Sequence, residues 1–285
     1  MLLVISAVLG ANHVCARVAF DHGGSVATAV AARAGVTAIA LLVLLKASGV
    51  RLALPRLTLL RGIAIGAMIT TQSLCIYSSI ARIPVALALL AFNVFPLLYA
   101  LWGLLFDGVR PAPRALAAMP VALVGLVLAL DLVGGLEAIA GRWQEIGTGV
   151  FFALGAALSF SMALYCTGRW MQPVDGRLRT FLSTATTAGI ALVAGLSLEA
   201  FALPRDATGW VALALLTVFY GSAFTALFIV QPLPGVSRYT VALNFEPIAV
   251  LLMGWVVLGQ AMKPLQLLGA AVVVAAMVLL ASGKR

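Results

Sequence analysis

The chain has 285 residues, of which 63% are hydrophobic and only 9% charged, with a formal charge of +9. Ordinary globular chains carry about 25% charged residues, and so few cannot cover a water-facing surface. A soluble enzyme or binding module is therefore excluded, and the solvent is lipid.

Backbone groups in hydrocarbon must be satisfied internally, so spans are helices or closed barrels. Barrel strands would alternate apolar and polar residues over about ten positions. The apolar runs here are continuous, and close to the ~20 residues a helix needs to cross ~30 Å. In chain order they lie near 2–20, 26–45, 58–79, 84–105, 114–131, 146–168, 178–199, 208–230, 238–258 and 264–282, which predicts ten transmembrane helices. The first is expected to be a retained helix and not a signal peptide. Residues 1–10 carry no Lys or Arg, and Ala11 to Cys15 make a poor cleavage or lipidation site. Pro84, Pro234 and Pro264 stand near span starts, where a missing N–H costs nothing. Pro96, Pro120 and Pro247 fall inside spans and are expected to kink or open them. The longest polar-leaning connection, Asp131 to Glu145, has room for a short interfacial helix and little else.

Cys15, Cys75 and Cys166 lie inside spans without a CxxC pair or partnering His, so they read as small apolar residues. No metal site and no cofactor are expected, and no P-loop or other nucleotide signature is present.

Basic residues cluster in alternate loops. Lys46, Arg51, Arg56, Arg61, Arg110, Arg114, Arg169, Arg177, Arg179, Arg238, Lys284 and Arg285 fall on one side; Arg82, Arg142, Arg205 and Lys263 fall on the other. Cytoplasmic loops carry the Lys/Arg excess. This predicts a multi-pass protein of a bacterial-type inner (plasma) membrane with both termini cytoplasmic. Topology then explains the basic charge without a nucleic-acid partner.

The chain also repeats itself. Asn93-Val-Phe-Pro96 and Asn244-Phe-Glu-Pro247 stand 151 positions apart, and the same offset joins Gly103 to Gly254, Gly108 to Gly259 and Pro113 to Pro264. Five spans per repeat is an odd number, so the second half starts from the opposite side of the membrane. The predicted architecture is an all-α bundle of two inverted five-helix repeats, 1–131 and 146–285, joined by a periplasmic connection over 132–145. Such repeats let a bundle open alternately around a site near the midplane.

The motifs of the second half are Asn244-Phe-Glu-Pro247-Ile-Ala-Val, then Leu258-Gly259-Gln260, then Pro264-Leu-Gln-Leu-Leu-Gly269. With the ten-helix layout they resemble the EamA-type branch of the drug/metabolite transporter superfamily. Its second half typically reads "EP", an apolar run, "LGE" and a glycine a few residues into the last helix. Gln260 replaces the usual Glu, and Phe95 stands where the second half has Glu246. The resemblance implies a small-molecule transporter, often an exporter of amino acids or related metabolites, and leaves the cargo open.

Ionisable side chains within spans are costly and mark a cavity or a partner. His13 and Arg17 share a face of the first helix, with Arg17 close enough to the outer end to snorkel instead. Arg33 lies roughly 10 Å deep in the second, at 1.5 Å per residue, which suits a cavity role or an ion pair. Glu246 precedes Pro247; beside an opened helix its carboxylate can hold an ammonium or take up a proton, or form a structural pair with Arg33 or Arg17. Asn93 and Asn244 can refill the backbone groups that Pro96 and Pro247 leave open, or reach a substrate. Tyr77, Trp102 and Tyr165 are further cavity candidates, as are Gln72, Tyr99, Ser159 and Tyr220. Gly62-Ile-Ala-Ile-Gly66 is a GxxxG pattern that brings helices close, within the bundle rather than between copies.

The reading is a monomeric secondary transporter of small amphipathic metabolites, an exporter working by alternating access, with proton coupling at Glu246 included. The rivals are a passive channel or structural membrane protein and, with only two histidines to build an acid/base or metal centre, an integral-membrane enzyme.

Overall fold

The computed structural model describes residues 2–50, 52–108, 120–121, 124–125, 127–128, 136–230, 246–259 and 263–281. Helices are α1 (Leu2–Asp21), α2 (Val26–Ala47), α3 (Arg56–Ile80), α4 (Val85–Phe92), α5 (Phe95–Asp107), α6 (Leu136–Trp170), α7 (Gly176–Ser197), α8 (Ala207–Val230), α9 (Glu246–Leu258) and α10 (Pro264–Ala281). Among the described residues every regular element is a helix. Among the described residues five stretches are long and apolar enough to cross a membrane: Val26–Ala47, Arg56–Ile80, Val85–Asp107, Ile146–Trp170 and Gly176–Ser197. The fifth expected run, 114–131, is described only at 120, 121, 124, 125, 127 and 128, all helical. Asn244 and Gln260 lie outside the described residues.

Two boundaries are finer than hydropathy alone gives, the first of them the opening expected at Pro96. The fourth run, 84–105, is divided: α4 ends at the Asn93 cap and α5 restarts at Phe95 with Pro96 in its first turn. A proline ring cannot follow the carbonyl four residues before it, yet its fixed φ suits the start of a new helix. The sixth helix starts at Leu136 and so runs through most of the expected connection at 132–145. Leu136 to Glu145 carries Glu137, Arg142, Gln144 and Glu145, which give it the look of a polar connection, but it has no proline and opens with the good helix formers Leu136, Glu137 and Ala138.

Burial on α2 is the reverse of that in a soluble protein. Thr28, Arg33 and Thr37 are buried while Val36, Ile39 and Val43 are exposed. On α7, Thr184 and Thr187 are buried and Ile190, Val193 and Leu196 exposed. In water these faces would be badly placed; in hydrocarbon they are the stable arrangement.

The most extensive packing joins α1–α5 to α6–α9. α1 lies on α8 and α9, α2 on α7 and α8, α3 on α6 and α7, α4 and α5 on α6, and α4 on α9. Pairing α1 with α6, α2 with α7, α3 with α8 and α4/α5 with α9, and exchanging the members of each pair, maps α1–α8 onto α3–α6, α2–α8 onto α3–α7, and α1–α9 onto the pair of α6 with α4/α5. α5 and α9 are each 13 residues long, and their starts and ends keep the 151-residue offset. Each is closed by a left-handed glycine, Gly108 at φ 65° and Gly259 at φ 60°, a conformation that other residues enter only with strain.

Small residues set the closest crossings. A Cβ at Gly66 would lie 2.5 Å from the Thr186 Cβ, and one at Gly62 would lie 2.9 Å from Leu182 Cδ1. The GxxxG pattern therefore brings α3 against α7 inside the molecule. Gly10 does the same for α1 and α9, where a Cβ would meet Val250 at 2.9 Å and the Glu246 carbonyl at 3.4 Å.

Candidate functional site

The contact at Gly10 places the head of α9 one turn from His13. Glu246 is the first residue of α9, and its Oε1 lies 3.3 Å from His13 Nε2. Both side chains keep some exposure, 12% for His13 and 27% for Glu246. The His13 ring also stands edge-on to Tyr77, at 88° with centroids 5.9 Å apart.

Behind Tyr77 lies Arg33, only 3% exposed. Its Nη1 donates to Tyr77 Oη at 2.9 Å and its Nη2 to Ser73 Oγ at 2.7 Å. The guanidinium is sandwiched between the rings of Tyr77 and Tyr220, 4.3 Å from each centroid. Tyr77 passes the chain on, donating its hydroxyl hydrogen to Asn12 Oδ1 at 3.0 Å. Among the described residues no carboxylate lies within ion-pair distance of Arg33. The other end of the Asn12 amide, Nδ2, is buried without a partner, as is His13 Nδ1. Buried polar groups are normally satisfied, so an unneutralised cation beside an orphaned donor marks a place built for an acceptor.

The geometry joins His13, Glu246, Tyr77 and Arg33 in one cluster from α1, α2, α3 and α9. Arg17 is not part of it. Its Nε bonds Asp21 and its Nη1 donates to the Ile80 carbonyl at 2.9 Å, near the ends of α1 and α3. Glu246 meets His13, not Arg17. Trp102 and Tyr165 belong to a separate seam between α5 and α6: Trp102 Nε1 donates to Ser161 Oγ at 3.0 Å, and the Tyr165 hydroxyl donates to Asp107 at 2.8 Å. Arg169 pairs with the same Asp107 carboxylate. Asn93 caps α4 through its backbone N–H, and the described hydrogen bonds include none from its side-chain amide. Pro247 lies in the first turn of α9, as Pro96 does in α5. Phe95, the residue equivalent to Glu246, packs on Phe92 and Phe160 at 5.2 and 5.0 Å. One half of the repeat thus offers charge where the other offers aromatic rings.

Sequence reasoning missed Asn12, Ser73 and Gly10. Asn12 was detectable as an amide inside an apolar run beside His13, and Ser73 as the residue one turn before Tyr77. Gly10 carried no signal, since its role depends on which helix crosses there.

At the end where α1 and α7 finish, two loops are tied together. His22 Nδ1 lies 2.6 Å from Asp206 Oδ2, Arg205 N donates to the His22 carbonyl at 2.9 Å, and Ser25 N donates to the Ala202 carbonyl at 2.9 Å. The Gly209 N–H, then His22, hold the Asp206 carboxyl below its ordinary range.

Comparison with known proteins gives three findings. A solved crystal structure, described only as that of a protein, has a TM-score of 0.67 and 18% identity over 98% of this chain and 94% of that one. At that identity the likeness shows the fold alone. No curated protein matches. Residues 147–282 match the EamA-like transporter family, a stretch that contains the Asn244 to Gly269 motifs on which the resemblance rests.

Proposed function

We propose that the chain is a secondary carrier that exports small amphipathic metabolites, amino acids or related solutes, by alternating access between two inverted five-helix halves. The observation that carries this reading is the central cluster. A partly exposed carboxylate at the start of α9 and a buried guanidinium that has no acidic partner among the described residues are linked through His13 and Tyr77. A solute bearing an ammonium and a carboxylate has the complementary charges. The packing pattern that maps onto itself when the halves are exchanged supports a bundle able to rock between two related arrangements.

In this reading Glu246 is the coupling group and exchanges a proton or the solute's ammonium, with His13 as its nearest polar neighbour. Arg33 takes the anionic end. Both termini face the cytoplasm of a cell whose inner membrane holds the carrier as a monomer. The halves divide at the connection before the sixth span.

The test is reconstitution in sealed vesicles with an imposed pH gradient and a panel of labelled amino acids. Accumulation against the solute's own gradient supports the carrier. Equilibration without accumulation favours a channel and would sink the proposal.

A further inference from the structure

Tyr77 holds an unusual position for a residue of a binding site: it is fully buried and touches both Arg33 and His13, the neighbour of Glu246. Its ring and that of His13 stand nearly perpendicular, His13 in turn meets the Glu246 carboxylate, and Arg33 lies over the face of the tyrosine. The accessible part of the cluster is the Glu246 side, and Arg33 is shut behind the tyrosine. Its hydroxyl oxygen accepts from Arg33 Nη1 at 2.9 Å and its hydrogen goes to Asn12 Oδ1 at 3.0 Å.

A carboxylate oxygen in the place of that hydroxyl would accept the same hydrogen bond from Arg33, with full charge assistance. It would also meet the Asn12 amide. Oδ1 would repel it, but a half-turn of the amide brings Nδ2, now buried and unpartnered, to the same point as a donor. The displaced hydroxyl leaves no donor of Arg33 stranded, and Ser73 continues to receive Nη2 at 2.7 Å.

We propose that Tyr77 is an internal plug, its hydroxyl occupying the position on Arg33 and Asn12 that a carboxylate substrate takes, so that loading is the exchange of one for the other. The proposal rests on the carrier reading for its biological use, but the exchange itself is a binding equilibrium that can be measured without transport. It assigns Asn12 to the anion site and makes Tyr77 an intramolecular competitor. The tyrosine lowers the affinity for carboxylates and, in the empty site, gives the buried guanidinium a hydrogen-bond acceptor it would otherwise lack.

The experiment uses the purified full-length protein and sodium acetate as the probe, with sodium chloride at equal ionic strength as the reference. The acetate-specific rise in melting temperature is titrated for the wild type, Tyr77→Phe and Arg33→Met. Tyr77→Phe keeps the ring and removes only the competing hydroxyl. Its half-effect should come at about tenfold lower acetate than in the wild type, the factor that one charge-assisted hydrogen bond carries. Arg33→Met should show no acetate-specific rise. An unchanged midpoint in Tyr77→Phe overturns the plug, because a purely structural tyrosine would lower stability without moving the midpoint. A rise that persists in Arg33→Met, or no acetate effect in either the wild type or Tyr77→Phe, overturns it as well. Should Arg33→Met fail to fold, the comparison of wild type with Tyr77→Phe still decides. Vesicles that accumulate nothing would remove the carrier reading while leaving the acetate result standing.

Discussion

Replacing Arg33 by Met separates a binding role from a structural one, because the two predict opposite effects on stability. Arg33 donates two hydrogen bonds and stacks between two rings. Charged hydrogen bonds contribute about 1.5–3 kcal/mol each, and each cation–π contact about 0.5–2 kcal/mol. Near the lower ends of those ranges the loss is roughly 4–5 kcal/mol. Against it stands the relief of burying an unneutralised cation, a penalty of several kcal/mol in proteins and about 2.5–3.5 kcal/mol for Arg at a helix centre on the insertion scale. The truncation also strands no partner. Tyr77 still donates to Asn12, and the Ser73 hydroxyl still donates to Gln72 Oε1 at 3.3 Å. Methionine fills most of the volume and bends to fit. The expected outcome is a melting temperature within the equivalent of about 2 kcal/mol of wild type. Uptake of an amino acid should fall about tenfold or more, with much less loss for its decarboxylated amine. Melting in detergent and vesicle uptake of the two solutes check this. A large fall in stability with parallel loss of both solutes would refute the reasoning and make Arg33 a structural cation.

Glu246→Gln should abolish uphill transport while the protein remains folded, since the amide keeps size and hydrogen bonding but cannot exchange a proton; an unchanged pH dependence of uptake would remove the coupling role. Gly66→Ala should cost about 1–3 kcal/mol through overpacking against Thr186, and unaltered melting would show that α3 and α7 separate without penalty. The depressed Asp206 carboxyl contributes stability above its unfolded-state pKa, and that contribution is lost as pH falls through the lower folded-state value. Wild-type melting should therefore drop more steeply below the ordinary carboxylate range than that of Asp206→Ala, and coincident profiles would count against the loop tie.

What the sequence revealed and what it hid divide along a physical line. Helices, the break at Pro96 and the 151-residue offset are local or periodic properties, and they were readable in one dimension. Facing is not. Glu246 and His13 are far apart along the chain, and nothing in their neighbourhoods says that Gly10 lets α9 close on α1. Arg17 differs: its partner Asp21 is four residues on, an ordinary helical spacing, but the hydropathy run ends near residue 20 and leaves Asp21 outside it. The early start of α6 was hidden because hydropathy measures solvent preference and not helix propensity.

The crossing of contacts between halves bears on how the protein is made. In the order of synthesis α1, α2 and α3 enter the bilayer before the helices that cover them, α6 to α9, have been translated. Until then Arg33 has neither Tyr220 nor a finished pocket around it, and the threonine-bearing faces of α2 and α3 look into lipid. The first half alone would thus leave polar surface facing hydrocarbon until the second half covers it. Each half serves as the other's scaffold, so the two would be expected to fold when supplied together as separate polypeptides and to be degraded when either is made alone.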